Sequence, residues 1–352
     1  METKIWKVDN YVDNLEKYPQ IIEAAKLLQQ NEVVAFPTET VYGLGGNAKS
    51  DEAVKKIYEA KGRPSDNPLI IHISKTSDVD NFVTEIPEHA QTLMEHFWPG
   101  PLTIILKQKQ GVLSTVATAN SATVAIRMPS HPVARAIIEV SGLPIAAPSA
   151  NLSGKPSPTN FAHVALDLTG KISGIVDGGE TGVGVESTVL DCTDDIPTIL
   201  RPGGVTKEQL EALIGEVRVD PALVSEDSKP KAPGMKYTHY APNAPMVLVE
   251  GSREFLQSVA QQYRDKGNSV GILTTDEQLD FYVADRIISC GKRAELSTVA
   301  HNLYDVLRKF DQEPIDIILS ETFPENGIGS AIMNRLTKAA GHHVISEHHS
   351  QK

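Results

Sequence analysis

Through the first 220 residues, short runs of β-branched and aliphatic residues alternate with longer stretches whose apolar positions recur every three or four residues. A period of two marks a strand half buried in a sheet, and a period near 3.6 marks a helix with one buried face. On that basis the chain predicts helices over 21–30, 51–60, 88–97, 132–140 and 160–168. It predicts strands over 32–36, 69–73, 102–107, 123–128, 144–147, 174–177, 187–192 and 198–200. Strands and helices taken in turn imply an α/β sheet domain, because both sheet faces must be covered. From 219 to 245 both periodicities lapse into a proline-rich, charged stretch, which predicts an interdomain linker. Beyond it, strands over 246–250, 269–273, 286–289 and 315–319 interleave with helices over 255–265, 296–310 and 330–340, the pattern of a smaller doubly wound α/β domain. A length of 352 residues also makes two domains the default expectation.

Composition narrows the class of function. Hydrophobic residues are 40% and charged residues 22%, which fits a globular chain and argues against a disordered or fibrous one. The net charge is −12 and neither half is basic, so gripping a nucleic-acid backbone is not expected to be the main task, because phosphate neutralisation supplies much of that affinity. Cys192 and Cys290 stand too far apart to form a CxxC pair, which removes a cysteine-built zinc site and a redox motif and suits a reducing compartment. Residues 1–30 carry Glu2, Asp9, Asp13, Glu16 and Glu23 among the apolar positions, unlike a signal peptide, and no apolar run approaches a membrane span. A cytoplasmic chain with no membrane partner is the expectation. His342, His343, His348 and His349 near the end read as a solvated tail.

Candidate chemistry begins with FPTETVYGLGGNA, Phe36 to Ala48, which reads as a loop after a buried strand. Its glycines allow the backbone to approach a ligand, and Thr38, Glu39 and Thr40 supply two hydroxyls and a carboxylate, a set able to hold a small zwitterion. The plainer reading is a turn leading to a helix N-cap at Ser50. Gly43 to Ala48 also satisfies GxGxxA, a dinucleotide fingerprint, but a hydroxyl-rich stretch precedes the glycines where a hydrophobic strand should run. In KGRPSDNPLIIH, Lys61 and Arg63 emerge from a helix end onto a stiff loop, where a point charge and a planar fork suit an oligophosphate; cations at a helix C-terminus also have a purely electrostatic reason to be there.

Further on, Arg127 ends a predicted strand, and APSANLSGKPSPT follows another with Ser149, Asn151, Ser153 and Ser157 on a turn-rich loop. Ligands in α/β sheets usually sit at strand ends, although Ser and Asn also favour turns for local reasons. Ser187 opens one predicted strand and Arg201 closes another, so four cations, Lys61 and Arg63 on one loop and Arg127 and Arg201 elsewhere, fall at possible loop positions. Walker A, HExxH, GxSxG and paired CxxC patterns are missing, and no Ser or Cys has a recognisable adjacent base, so covalent catalysis has no support.

Six segments in one order, FPTETVYGLGGNA, KGRPSDNPL, AIRMPSHP, APSANLSGKPSPT, ESTVLD and LRPGG, resemble the YrdC-type threonylcarbamoyl-AMP synthases. PGMKYTHYAP followed by a Rossmann-like pattern is similar to the two-domain form of that family. The resemblance implies a YrdC-like twisted mixed sheet with flanking helices over 12–218, a linker over 219–245 and a smaller Rossmann-like α/β domain over 246–345. It implies a reaction of L-threonine, bicarbonate or CO2, and ATP with Mg²⁺, giving threonylcarbamoyl-AMP and pyrophosphate. A separate transferase complex would then modify the adenosine next to the tRNA anticodon, so direct tRNA binding is expected to be weak or absent. Position by position, it implies Thr38, His72, Arg127, Ala147 and Ser187 on the threonine side. On the ATP side it implies Lys61, Arg63, Ser65, Thr123, Ser149, Asn151, Ser157 and Arg201, with Lys61 and Arg63 catalytic and Tyr237 of the linker closing over the ligand beside His239 and Tyr240. No resident protein-bound metal is expected. Two rivals are an RNA-binding module, which the acidic charge disfavours, and carbamoyl transfer from carbamoyl phosphate, whose known domains sit in longer chains with zinc-finger and acylphosphatase parts.

Overall fold

Strand 34–36 shows how the sequence pattern becomes architecture. Val34 and Phe36 pack with Ile21, Ala24 and Leu28 and with Val133 and Ile137, whereas Ala35 between them joins Leu44, Ile57 and Ile71 on the opposite face. Alternate side chains of one strand thus feed two separate cores, and the sheet is covered on both sides. The computed structural model describes residues 2–9, 13–223 and 239–347. Residues 224–238, with Tyr237, and the histidines at 348 and 349 lie outside the described residues.

The chain divides into two compact units, Met1–Ser153 with Ser157–Lys236, and Gly154–Pro156 with Tyr237–Lys352. The first contains β1 (Lys4–Lys7), α1 (Pro19–Gln29), β2 (Val34–Phe36), β3 (Gly43–Asn47), α2 (Asp51–Lys61), β4 (Ile70–His72), α3 (Glu88–Phe97), β5 (Leu102–Lys107) and β6 (Thr123–Arg127). It continues with α4 (Pro132–Ser141), β7 (Ile145–Ala146), α5 (Phe161–Leu168), β8 (Gly174–Asp177), β9 (Thr188–Asp191), β10 (Thr198–Arg201), α6 (Lys207–Ile214) and β11 (Arg218–Val219). Among the described residues these strands form one mixed sheet in the order β1-β8-β2-β3-β7-β4-β6-β5-β9-β10-β11. β1–β8, β2–β8, β4–β6, β5–β9 and β10–β11 pair parallel, and the remaining neighbours pair antiparallel. α1 and α4 cover one face; α2, α3 and α5 feed the core of the other.

The second unit is a parallel sheet of β12 (Met246–Glu250), β13 (Val270–Thr274), β14 (Arg286–Ser289), β15 (Ile317–Glu321) and β16 (Val344–Ser346), ordered β14-β13-β15-β12-β16. Parallel neighbours require crossovers: α7 (Arg253–Asp265), α8 (Leu296–Phe310) and α9 (Gly329–Ala339) supply three, and residues 275–285 connect β13 to β14. Val270, Ile272, Ile317 and Leu319 form its centre with Leu256, Val259 and Ala260 of α7. Among the described residues no helix is long and apolar enough to cross a membrane.

One expected loop is a strand. β3 is Gly-Leu-Gly-Gly-Asn, a composition that disfavours strands, yet it lies between β2 and β7. The cause is steric: a Cβ on Gly45 would lie 2.5 Å from Phe36 Cε1 and 2.8 Å from Ile145 Cγ2. Its glycines therefore admit neighbouring side chains. An antiparallel strand between two others is also not the turn into a helix that a GxGxxA nucleotide site requires, which disposes of that rival.

Candidate active site

Helix α2 starts at Ser50, whose hydroxyl accepts from Ala53 N at 3.2 Å, and Asp51 and Glu52 occupy its positive end. It ends at Lys61, with Gly62 at φ 62° turning the chain away in the left-handed region. Lys61 is not on the loop that the sequence predicts; it is the last helical residue and only 3% exposed, because its amine turns inward. Nζ donates to Ser149 O at 2.5 Å and Asn151 O at 2.7 Å, while Ser149 Oγ donates to Asn151 Oδ1 at 2.5 Å. Three of the sequence-expected residues therefore meet. Arg63 is half-buried with its backbone N bonded to Tyr58 O at 3.0 Å, and its charge acts on the Tyr58 phenol, whose pKa burial nevertheless raises to about 12. Ser65 is exposed on the turn that follows.

A second cluster forms around Arg127, the last residue of β6 and 4% exposed. Its Nε donates to Gly100 O at 3.3 Å, Nη1 to Thr40 Oγ1 at 2.9 Å and Nη2 to Glu39 Oε1 at 2.6 Å. Thr40 Oγ1 lies 2.8 Å from Thr38 Oγ1, and Thr38 gives its only proton to Val41 O at 2.6 Å. The proton order therefore runs from Arg127 to Thr40 to Thr38 to a carbonyl. The other Glu39 oxygen accepts from Ser130 N at 3.1 Å.

Register extends this cluster across the sheet. His72 pairs with Arg127 on one side and Ile145 on the other, and Thr103 faces Arg127 from β5. Thr103 Oγ1 lies 2.8 Å from Ser187 Oγ, and Arg201 donates to Ser187 O from Nε at 3.1 Å and from Nη2 at 2.9 Å. Ser157, fully buried, donates to Glu186 Oε1 at 2.6 Å. The two clusters share one segment. Residues 38–41 serve Arg127, and directly afterwards Tyr42 O accepts from Ala150 N at 2.8 Å, Leu44 N donates to Pro148 O at 2.8 Å, and Gly43 bridges Ser149. Ala147, 5% exposed, donates its N–H to Ile70 O at 3.0 Å.

Electrostatics leave the imidazoles here uncharged. Burial, reinforced by Arg127, pushes His72 down to about 3, and burial pushes His131 down to about 4 although Glu39 acts the other way. Because the folded state holds these histidines neutral while the unfolded chain protonates them near 6.5, stability is full above about 6.5 and falls as pH drops toward 4 and 3. Denaturant titrations at pH 7 and pH 5 are expected to show the loss, at up to about 1.4 kcal/mol per pH unit for each histidine. His131→Gln should flatten the slope; an unchanged slope would refute the assignment.

Some expected residues stand apart. Thr123 begins β6, about 13 Å of strand from Arg127 at the usual rise, and pairs its hydroxyl with Ser121 at 3.0 Å. Among the described residues no hydrogen bond joins Thr123 or Ser65 to the clusters. Tyr240 packs within the second unit, its ring 5.2 Å from Tyr304 and 5.6 Å from His239. Thr103 and Glu186 are not legible in the sequence: Thr103 looks like any strand threonine, and Glu186 stands in ESTVLD with no visible partner.

Residues 26–203 match the family model of the Sua5, YciO and YrdC proteins described as telomere recombination, and residues 205–341 match the model described as threonylcarbamoyl-AMP synthase, C-terminal domain. The threonylcarbamoyl-AMP synthase of Bacillus subtilis is 61% identical over 345 residues, spanning 98% of this chain and 100% of that protein. That of Pyrococcus abyssi is 47% identical over 341 residues, spanning 96% and 98%. The crystal structure of P. abyssi Sua5 complexed with L-threonine superposes with a TM-score of 0.92 at 46% identity, covering 98% of this chain and 99% of that one.

Proposed function

The chain belongs to the threonylcarbamoyl-AMP synthase family, enzymes of nucleotidyl-transfer type, and we propose that it joins L-threonine, bicarbonate or CO2, and ATP into threonylcarbamoyl-AMP and pyrophosphate. The observation that carries this reading is the segment 38–44, which hydrogen-bonds to Arg127 at one end and to the Lys61-bound loop 148–151 at the other. A carboxylate-binding cation and a phosphate-suited cation are thereby tied to one stretch of backbone, as a reaction between an amino acid and a nucleotide needs. Likeness to a Sua5 crystallised with L-threonine supports threonine as the amino acid.

In this reading Thr38, His72, Arg127, Ala147 and Ser187 line the threonine subsite, and Arg127 receives the carboxylate. Lys61, Arg63, Ser65, Thr123, Ser149, Asn151, Ser157 and Arg201 serve ATP. The threonine amine adds to CO2, releasing a proton, and a carbamate oxygen attacks the α-phosphorus, breaking its bond to the pyrophosphate oxygen. Such a step depends on alignment and charge neutralisation, with no protein nucleophile. We assign Mg²⁺ to the triphosphate of the incoming ATP, where it would lessen charge on the leaving pyrophosphate. The acidic chain, at −12, suits a cytoplasmic enzyme that makes a small activated intermediate and leaves tRNA modification to a separate transferase complex.

The test incubates the protein with ATP, Mg²⁺ and bicarbonate, with and without L-threonine, and follows pyrophosphate and adenylate by chromatography with mass detection. Threonylcarbamoyl adenylate is expected only in the complete mixture. ATP left intact, or hydrolysed regardless of threonine, would refute the reading.

A further inference from the structure

A guanidinium as buried as that of Arg127, at 4% exposure, requires a counter-charge, since desolvating a cation without one is costly. Among the described residues the carboxylate that reaches it is Glu39, whose side chain is 13% exposed and whose Oε1 lies 2.6 Å from Nη2. Glu39 is itself fixed from two further segments. Its Oε2 accepts from Ser130 N, ahead of α4, and its backbone oxygen accepts from Val183 N at 2.7 Å. Arg127 has five N–H donors, and one on each nitrogen is taken by Gly100, Thr40 and Glu39, which sets the plane of the fork and leaves a second N–H on Nη1 and on Nη2. His72 and His131 are neutral at pH 7, so neither supplies charge that could replace Glu39 or repel it.

We infer that Glu39 is the positioning residue of the amino-acid subsite: it holds the Arg127 fork so that the remaining N–H groups receive the carboxylate of the amino acid. This deepens the function proposed above and rests on its assignment of Arg127. The Glu39–Arg127 pair is electrically neutral, so a zwitterion can join it without adding net charge to a buried site, whereas a simple carboxylic acid would add one negative charge. The same geometry argues against Glu39 as a mere plug competing with substrate, because two donors of the guanidinium remain available beside it.

Calorimetric titration of the full chain with L-threonine, and separately with ATP, tests this in the wild type, Glu39→Gln, Arg127→Gln and the double variant. Glu39→Gln is expected to weaken threonine binding about 10- to 100-fold, the range for hydrogen bonds involving charged groups, with ATP binding unchanged. In the Arg127→Gln background the same change should cost nothing further, because its effect passes through Arg127. Should Glu39→Gln fail to fold, Glu39→Asp, which keeps the charge but reaches one methylene less, must show the selective loss in smaller degree. Wild-type or tighter threonine binding in the single variant, an equal loss for ATP, or additive losses in the double variant would each overturn the inference. Failure of the wild type to bind L-threonine would instead remove the amino-acid reading of the site itself.

Discussion

Replacing Lys61 with alanine is expected to lower turnover about 10²- to 10³-fold at saturating ATP and L-threonine, the range seen when a preorganised electrostatic donor is removed from an active site. Lys61 is buried at the end of α2, and its ammonium sits among the backbone oxygens of Ser149 and Asn151. Those contacts aim a compact point charge at the loop the proposed mechanism gives to the nucleotide. Lys61→Arg is expected to rescue little, since a planar fork does not fit the space an ammonium fills. Pyrophosphate release measures the effect, and a circular-dichroism melt separates it from unfolding, because the abandoned carbonyls also cost stability, about 1–3 kcal/mol for each left unsatisfied. Turnover near that of the wild type in a folded Lys61→Ala protein would remove Lys61 from the chemistry.

Gly203→Ala is expected to destabilise the first unit and to damage the site at once. Gly203 is not in the left-handed region, so its backbone angles do not demand glycine. Its surroundings do. A Cβ there would lie 2.3 Å from Thr188 N, 2.4 Å from Glu186 O and 2.4 Å from the Ser187 carbonyl carbon, all backbone atoms that yield only if β9 moves. Overpacking of this kind costs about 1–3 kcal/mol, or more against backbone. For a unit of this size each kcal/mol lowers the melting temperature by roughly 2–4 °C. Displacing Ser187 would also disturb the bonds it makes to Thr103 and Arg201, so activity should fall further than stability alone predicts. Gly62→Ala is the instructive contrast, because open space surrounds it and only its φ of 62° resists, at roughly 1–2 kcal/mol. An unchanged melting temperature for Gly203→Ala would show that β9 tolerates the shift.

The amino-acid sequence by itself determined most of the helices and the strands with β-branched alternation, because period, cap and breaker are local properties of the chain. Ser50 before an acidic turn, Gly62 after Lys61 and the run Leu102–Lys107 carry their structure within a few neighbours. Motif order likewise made the family legible before any coordinates. Strand β1 was not legible, since only one of its four residues is buried, and β3 was not, since its glycines speak against a strand until Phe36 and Ile145 are known to press on it. Which candidate residues meet was decided by tertiary structure alone. Lys61 and Ser149 are 88 positions apart, as are Glu39 and Arg127, and only strand order and register bring each pair together. Thr103 and Glu186 gain meaning the same way, through partners at Ser187 and Ser157 that no local pattern announces. Local physics writes the elements, whereas a site made of long-range contacts exists only after the sheet has set which strand lies beside which.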